Sequence, residues 1–227
     1  VIDAVYLEVE ARGAAIDDVR GAAARHGVEV VELGVGVLAR MADAVAPQPV
    51  AAVAALPLSG TTAIGSGVVL VLCDLADPGN LGTAIRAADA AGCAGVVVCG
   101  QSVDVANPKA LRASAGSVFH LPVVELATLE GAAHALRGTG RRVLGTAAVG
   151  GQDLWTASID DDCAVVVGGE ARGLGADALQ LLDAVVTIPM AGAAESLNAG
   201  VAAALVCFEA LRRRRGGAAA ADASPTI

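Results

Sequence analysis

Three short runs in this chain are apolar without interruption, and they constrain its fold more than any other feature: Val68–Cys73, Gly95–Cys99 and Ala164–Val167. Each is rich in valine, lacks the in-out alternation of a half-exposed strand, and ends at a polar or glycine-rich turn. Strands read this way when helices cover both faces of their sheet. Helical segments fit between and after them, over Asn80–Ala91, Pro108–Ser114, Leu126–Leu136 and Ala176–Leu182. The expected fold class is α/β, a mostly parallel sheet with helices on both faces. A last long helix is expected over Ser196–Arg214. Its apolar residues Leu197, Val201, Leu205, Phe208 and Leu211 recur at three- and four-residue spacings, and Arg212 to Arg215 end it at the negative pole of the helix dipole.

Ahead of this region, residues 1–60 carry four arginines against eight acids, and their apolar runs alternate. AVYLEV, VEVVELG and VAAVAAL read as strands, IDDVRGAAARHG and VGVLARMADAV as helices. The expected organisation is a small α/β domain over residues 1–56, a Gly/Ser/Thr-rich linker over 57–67, a second domain over 68–215 and a disordered, low-complexity tail over 216–227. The chain begins at Val1, so a strand or helix upstream of it is expected to complete the first domain.

Alanine, valine and leucine supply most of the 55% hydrophobic content, while aromatics are only 2%. Asp74, Asp77, Arg86 and Asp89 break the longest apolar region, so no membrane span is expected, and the cytoplasm is the expected location. The five cysteines lie in apolar surroundings without C-x-x-C spacing, which fits reduced core thiols. With three histidines far apart in sequence, no metal site is expected. The net charge of −9 opposes indiscriminate binding of polyanions, so a nucleic-acid ligand would need a local basic patch.

In an open α/β sheet the ligand belongs at the carboxyl ends of the strands, and three polar constellations follow strands or open helices there. Asp77 to Arg86 (DPGNLGTAIR) makes a turn and opens a helix, with Asn80 as N-cap; by itself it also reads as an ordinary strand-turn-helix with an exposed arginine. Gly168 to Gly175 (GGEARGLG) lets a backbone approach a ligand closely and offers one acceptor and one forked donor, or is simply a flexible loop. Ile188 to Asn198 (IPMAGAAESLN) leads into the last helix, where Ser196 can serve as cap and Glu195 sits at the positive end. A cap explains one or two of these residues but not Glu, Ser and Asn together. No G-x-G-x-x-G or P-loop pattern occurs, which argues against a Rossmann-type nucleotide enzyme.

Taken in order and spacing, DPGNLGTAIRAADAAG, VVVGGEARGLG and IPMAGAAESLNAGVAAALVCFEA resemble the three motifs of the SpoU-type RNA 2′-O-ribose methyltransferases of the SPOUT superfamily. NPKALRASAGSVFHLPVV is similar to the family's segment between motifs one and two. Residues 1–60 resemble, less specifically, its L30e-like substrate-recognition domain, most visibly in GVLARMADAVAPQPVAAV. The resemblance implies a C-terminal trefoil knot, an exception to the rule that chains do not thread themselves. It also implies a homodimer, S-adenosylmethionine as cofactor, no metal, and rRNA or tRNA as substrate.

Carried over by position, Thr146, Gly168, Ile188, Met190 and Leu197 would hold the cofactor. Asn80, Arg86, Glu170, Ser196 and Asn198 would surround the methyl-transfer site. Arg86, Lys109, Arg112 and Arg172 would face RNA, with Arg141 and Arg142 as further candidates. Two departures stand out: Gly169 lies where the family often has a side chain, which would loosen the edge of the site, and Ala199-Gly200 replace a bulkier pair, which would permit closer helix packing at the dimer face. The competing expectation is an RNA-binding relative without catalysis, acting as an accessory factor, against which the intact Asn80, Arg86, Glu170 and Asn198 weigh.

Overall fold

A computed structural model describes residues 2–41, 47–160 and 162–222, with side chains described through Gly216. The chain divides at Leu56/Pro57 into two compact units. In the first, β1 (Ile2–Glu8) leads through α1 (Ala14–His26) to β2 (Glu29–Leu33), then α2 (Val37–Met41) and β3 (Val50–Ala54). β1 is central, parallel to β2 and antiparallel to β3. Val5 and Leu7, two apart on β1, bury against Ile16 of α1, with Val19, Val28, Val30 and Val50 around them. The helix read over residues 35–45 is seen as α2, and 42–46 lie outside the described residues.

The second unit is a seven-stranded sheet in which every pairing is parallel. Its elements in chain order are β4 (Val69–Cys73), α3 (Pro78–Ala90), β5 (Gly95–Cys99), α4 (Pro108–Ser114), β6 (Val123–Leu126), α5 (Leu129–Arg137), β7 (Arg142–Thr146), β8 (Gln152–Asp153), β9 (Cys163–Gly168), α6 (Ala176–Gln180), β10 (Ala184–Thr187) and α7 (Ala199–Asp222). The spatial order is β6-β5-β4-β9-β7-β10-β8. All five residues of β4 and of β5, and all six of β9, are buried. Val69, Val71 and Cys73 point to the face covered by α5, with Ala178 and Leu182 packed alongside. Val165 points to the other face, where Val206 and Ala210 of α7 lie. α3 packs between α4 and α7. Chain order reverses beside β4, the switch point where such sheets bind ligands.

Four strands went unread in the sequence: β6, β7, β8 and β10. The first replaces the start of the helix expected from Leu126, and α5 begins after a Thr128 cap whose hydroxyl accepts from the Gly131 N–H at 3.1 Å. Residues 57–67 are not a free linker. Ser59 N–H donates to the Val123 carbonyl at 2.8 Å, and Ile64 is buried against the sheet. Arg141, expected among the RNA-facing cations, is 7% exposed and donates to the carbonyls of Gly65 and Gly67 and to Thr139 Oγ1, tying this segment down. α7 extends through residues 216–222 of the expected tail, and residues 223–227 lie outside the described set.

α7 turns a different face inward from the one its large residues suggested. Ala199, Ala203, Val206, Cys207 and Ala210 are buried, whereas Val201 and Phe208 are 47% and 48% exposed. Its arginine run is anchored rather than simply solvated. Arg212 and Arg213 both pair with buried Glu209 at 2.7 Å, and Arg214 donates to the carbonyls of Ala91 and Gly92.

Candidate active site

The polar constellations meet at the carboxyl ends of β4 and β9. Asp77 caps α3, its Oδ1 accepting from the Asn80 N–H at 2.9 Å with Pro78 in the first turn. This corrects Asn80 as the cap and frees the Asn80 side chain to face the site. Its Nδ2 donates to Glu170 Oε1 at 2.6 Å, and its Oδ1 accepts from Asn198 Nδ2 at 2.9 Å. Glu170 Oε2 accepts from the Ala76 N–H at 3.2 Å. One chain of hydrogen bonds therefore joins Asn198, Asn80 and Glu170, one residue from each constellation.

Asn198 also corrects the expected cap of the last helix. Its Oδ1 accepts from the Val201 N–H at 3.2 Å and its carbonyl from Ala202, so Ser196 and Glu195 precede the helix. Gly200 stands at the α7–α3 contact, where a Cβ would meet the Asn80 carbonyl oxygen and Thr83 Cβ at an ordinary 3.4 Å and Asn198 Oδ1 at 3.2 Å.

Burial raises the Glu170 pKa, but hydrogen bonds from Asn80 and the backbone outweigh it, so the carboxyl titrates below its ordinary value and is ionised at neutral pH. Asp77 is held low by the Asn80 N–H and by Lys109, whose Nζ lies 3.1 Å from Oδ2.

Beside this network opens a cleft of about 350 Å³. Thr146, Gly168, Ile188, Met190 and Leu197 all line it, with Glu170, Arg172 and Ser196 at its polar side. The glycine-rich segment folds tightly on itself and against the turn after β4: a Cβ on Gly168 would overlap Gly173, and one on Gly169 would overlap the Asp74 carbonyl. Gly169 is therefore a tight contact and does not loosen the edge. Thr146 Oγ1 donates to the Val166 carbonyl at 3.0 Å.

Arg86, Lys109 and Arg112 are exposed and lie outside the cleft lining, on α3 and α4. Arg142 is exposed and donates to the Ser158 carbonyl at 3.3 Å. The sequence reading missed the cap and the ion pair of Asp77, for which Asp followed by Pro was the available signal. It also missed Ala147, Leu174 and Ala202 in the lining, which carry no distinguishing chemistry. Among the described residues no group of three or more His, Cys, Asp or Glu could hold a metal ion, and no helix is long and apolar enough to cross a membrane.

The SpoU rRNA methylase family profile matches residues 67–208. A 23S rRNA (guanosine(2553)-2′-O)-methyltransferase of Bacillus subtilis is 36% identical over 182 residues, 80% of this chain and 72% of that protein. A 23S rRNA (uridine(2479)-2′-O)-methyltransferase of Streptomyces viridochromogenes is 39% identical over 147 residues, 62% of this chain but only 50% of its own length. Among solved structures, the SpoU methyltransferase AviRb of Streptomyces viridochromogenes in complex with AdoMet superposes with a TM-score of 0.82 at 30% identity, covering 95% of this chain and 84% of that one. AdoMet-bound rRNA methyltransferase from Sinorhizobium meliloti gives 0.81 at 29%, covering 93% and 80%. A parallel sheet with its cleft at the switch point, three motifs joined there by one hydrogen-bond chain, and these similarities together make the chain a member of the SpoU rRNA methylase family.

Proposed function

We propose that this protein transfers a methyl group from S-adenosylmethionine to a ribose 2′-hydroxyl of rRNA or tRNA. The observation that carries the reading is the Asn198–Asn80–Glu170 chain standing beside the cleft lined by Thr146, Gly168, Ile188, Met190 and Leu197. The cleft fits the cofactor in kind. Bare glycine backbone, apolar side chains and the ionised Glu170 suit a ligand that is part nucleoside and part cation.

When bound, S-adenosylmethionine supplies a methyl group on a positively charged sulfur, which a ribose oxygen displaces in line. Asn80, Glu170, Ser196 and Asn198 order the polar side of the cleft. A guanidinium carries donors and no acceptor, so Arg86 is not assigned as the base. It grips the phosphate beside the target ribose and stabilises charge developing on the 2′ oxygen, while the hydroxyl proton passes to phosphate or water. Lys109, Arg112 and Arg172 supply local cations for RNA against the acidic background, and recognition rests on RNA shape more than on bulk charge.

The same reading includes a C-terminal trefoil knot that folds residues 168–175 and 188–198 together, consistent with both segments lining one cleft. It includes an L30e-like RNA-recognition domain over residues 1–56, work in the cytoplasm, and a homodimer. The exposed stripe of Val201 and Phe208 on α7 supports the homodimer.

Calorimetric titration with S-adenosylmethionine, followed by methyl transfer to separate rRNA and tRNA fractions, tests the function. Binding with transfer to one fraction is expected. A folded dimer that does not bind millimolar cofactor would instead be the non-catalytic RNA-binding relative. Arg86→Lys should lose most transfer activity, because an ammonium cannot reproduce the forked contact; near-full activity would remove that role from Arg86.

A further inference from the structure

Resting on the methyltransferase reading, we propose that Asp74 is a positioning residue for the cofactor cleft, holding the end of β9 so that Glu170 meets Asn80.

Asp74 directly follows β4 and has φ of +60°, a left-handed conformation that is uncommon outside glycine and that Asp and Asn tolerate best. Its side chain and backbone key three strand ends together. Toward β5, Oδ1 accepts from the Gln101 N–H at 2.7 Å, and the Asp74 N–H donates to the Cys99 carbonyl at 3.2 Å. The next residue reinforces the lock: Leu75 N–H donates to Ser102 Oγ at 3.1 Å, while Ser102 Oγ donates to the Cys99 carbonyl at 2.7 Å. Gly100 is left-handed too, and a Cβ on it would overlap the Asp74 carboxylate.

Toward β9, the Asp74 carbonyl occupies the space a Cβ of Gly169 would need. Two residues on, the Ala76 N–H donates to Glu170 Oε2. The turn after β4 is thus fixed on one side by the carboxylate of Asp74 and bears on the other against the residue before Glu170. A displaced Asp74 moves both the wall at Gly168–Gly169 and the partner of Glu170. Non-glycine residues in such backbone regions persist where the surrounding structure imposes them, and they cluster at functional sites.

Two demands act at this position, a left-handed backbone and an acceptor for Gln101, and three substitutions separate them. Asp74→Asn keeps both, Asp74→Gly keeps only the backbone, and Asp74→Ala keeps neither. Calorimetry with S-adenosylmethionine should find Asp74→Asn within about threefold of wild type, and Asp74→Gly and Asp74→Ala weaker by about tenfold or more, as expected for loss of the hydrogen-bond acceptor. In transfer assays the cofactor KM should rise while kcat at saturating cofactor changes less. A purely structural role would lower Tm and the bound stoichiometry but leave the affinity of the folded fraction unchanged.

Should Asp74→Gly not fold, Gly169→Ala presses on the same contact from the other side and should weaken cofactor binding likewise. Wild-type affinity in a folded Asp74→Gly or Gly169→Ala protein overturns the proposal, as does equal weakening by Asn and Gly. Failure of the wild type to bind cofactor would instead remove the methyltransferase reading itself.

Discussion

Hydrogen bonding and burial separate the thiols of this chain. The Cys99 side chain and burial drive the Cys73 pKa far up, burial raises Cys163 to about 11, and a hydrogen bond with the Cys93 thiol together with burial raises Cys207 as well. Cys93 goes the other way, because the Cys207 thiol and the nearby Arg214 charge favour its thiolate. Alkylation with iodoacetamide at pH 7.5, read by peptide mass spectrometry, should therefore modify Cys93 ahead of Cys73, Cys163 and Cys207; earlier labelling of any of these three would contradict the arrangement. The carboxylates behave coherently too. Asp77, Glu170, Asp183 and Glu209 all titrate below their ordinary values, chiefly through hydrogen bonds that outweigh burial where burial opposes them. Their stabilisation is complete above the ordinary carboxylate pKa and disappears as pH falls toward the lowered values. The urea midpoint should thus hold level from pH 8 to about 5 and decline below about 4.

Among the elements, α3 is the one that positions the site, through packing as much as chemistry. At Gly82 a Cβ would overlap the Ala110 carbonyl and stand 2.6 Å from Ala113 Cβ, so α3 and α4 approach nearly backbone to backbone. Helix propensity alone makes Gly82→Ala stabilising by about 1 kcal/mol. Overpacking opposes this by about 1–3 kcal/mol, so the net expectation is a loss of up to about 2 kcal/mol in chemical denaturation, with a displaced Asn80 and weakened cofactor binding. A neutral or stabilising result would mean that α4 yields without cost. Small residues also face inward on α7. Its spacing announced an amphipathic helix, but the inward face consists of alanines, Val206 and Cys207, with Val206 and Ala210 packed against the sheet and the helix also contacting α3.

For the whole molecule, that choice of face leaves Val201 and Phe208 outward, with Leu205 half-buried beside them. If the homodimer forms on this stripe, Phe208→Asp should convert it to a monomer in sedimentation without reducing the helical circular dichroism signal. A dimer unaffected by the substitution would move the interface elsewhere. The acidic balance of the chain acts at this scale too. On the proposed function, RNA affinity comes from local cations such as Lys109 and Arg172, so its salt dependence should correspond to a few phosphate contacts and not a broad basic surface.

The chain's own residues pointed to the parallel sheet, because short valine-rich runs without alternation suit strands covered on both faces, and marked the site, because polar residues accumulated after strands and before helices. Asn80, Glu170 and Asn198 stood out for that reason, whereas Thr146, Gly168, Ile188, Met190 and Leu197 came only from the family resemblance. Four strands were not: β7 and β10 are short and mixed in composition, and their partners alone make them strands. Arg141 read as a surface cation until its contacts with Gly65 and Gly67 placed it inside. The cap assignments, the inward face of α7 and the role of Asp74 likewise depend on contacts between residues distant in sequence. Local pattern specifies which groups must be buried or bonded, but only the packed chain selects the partner that satisfies each one.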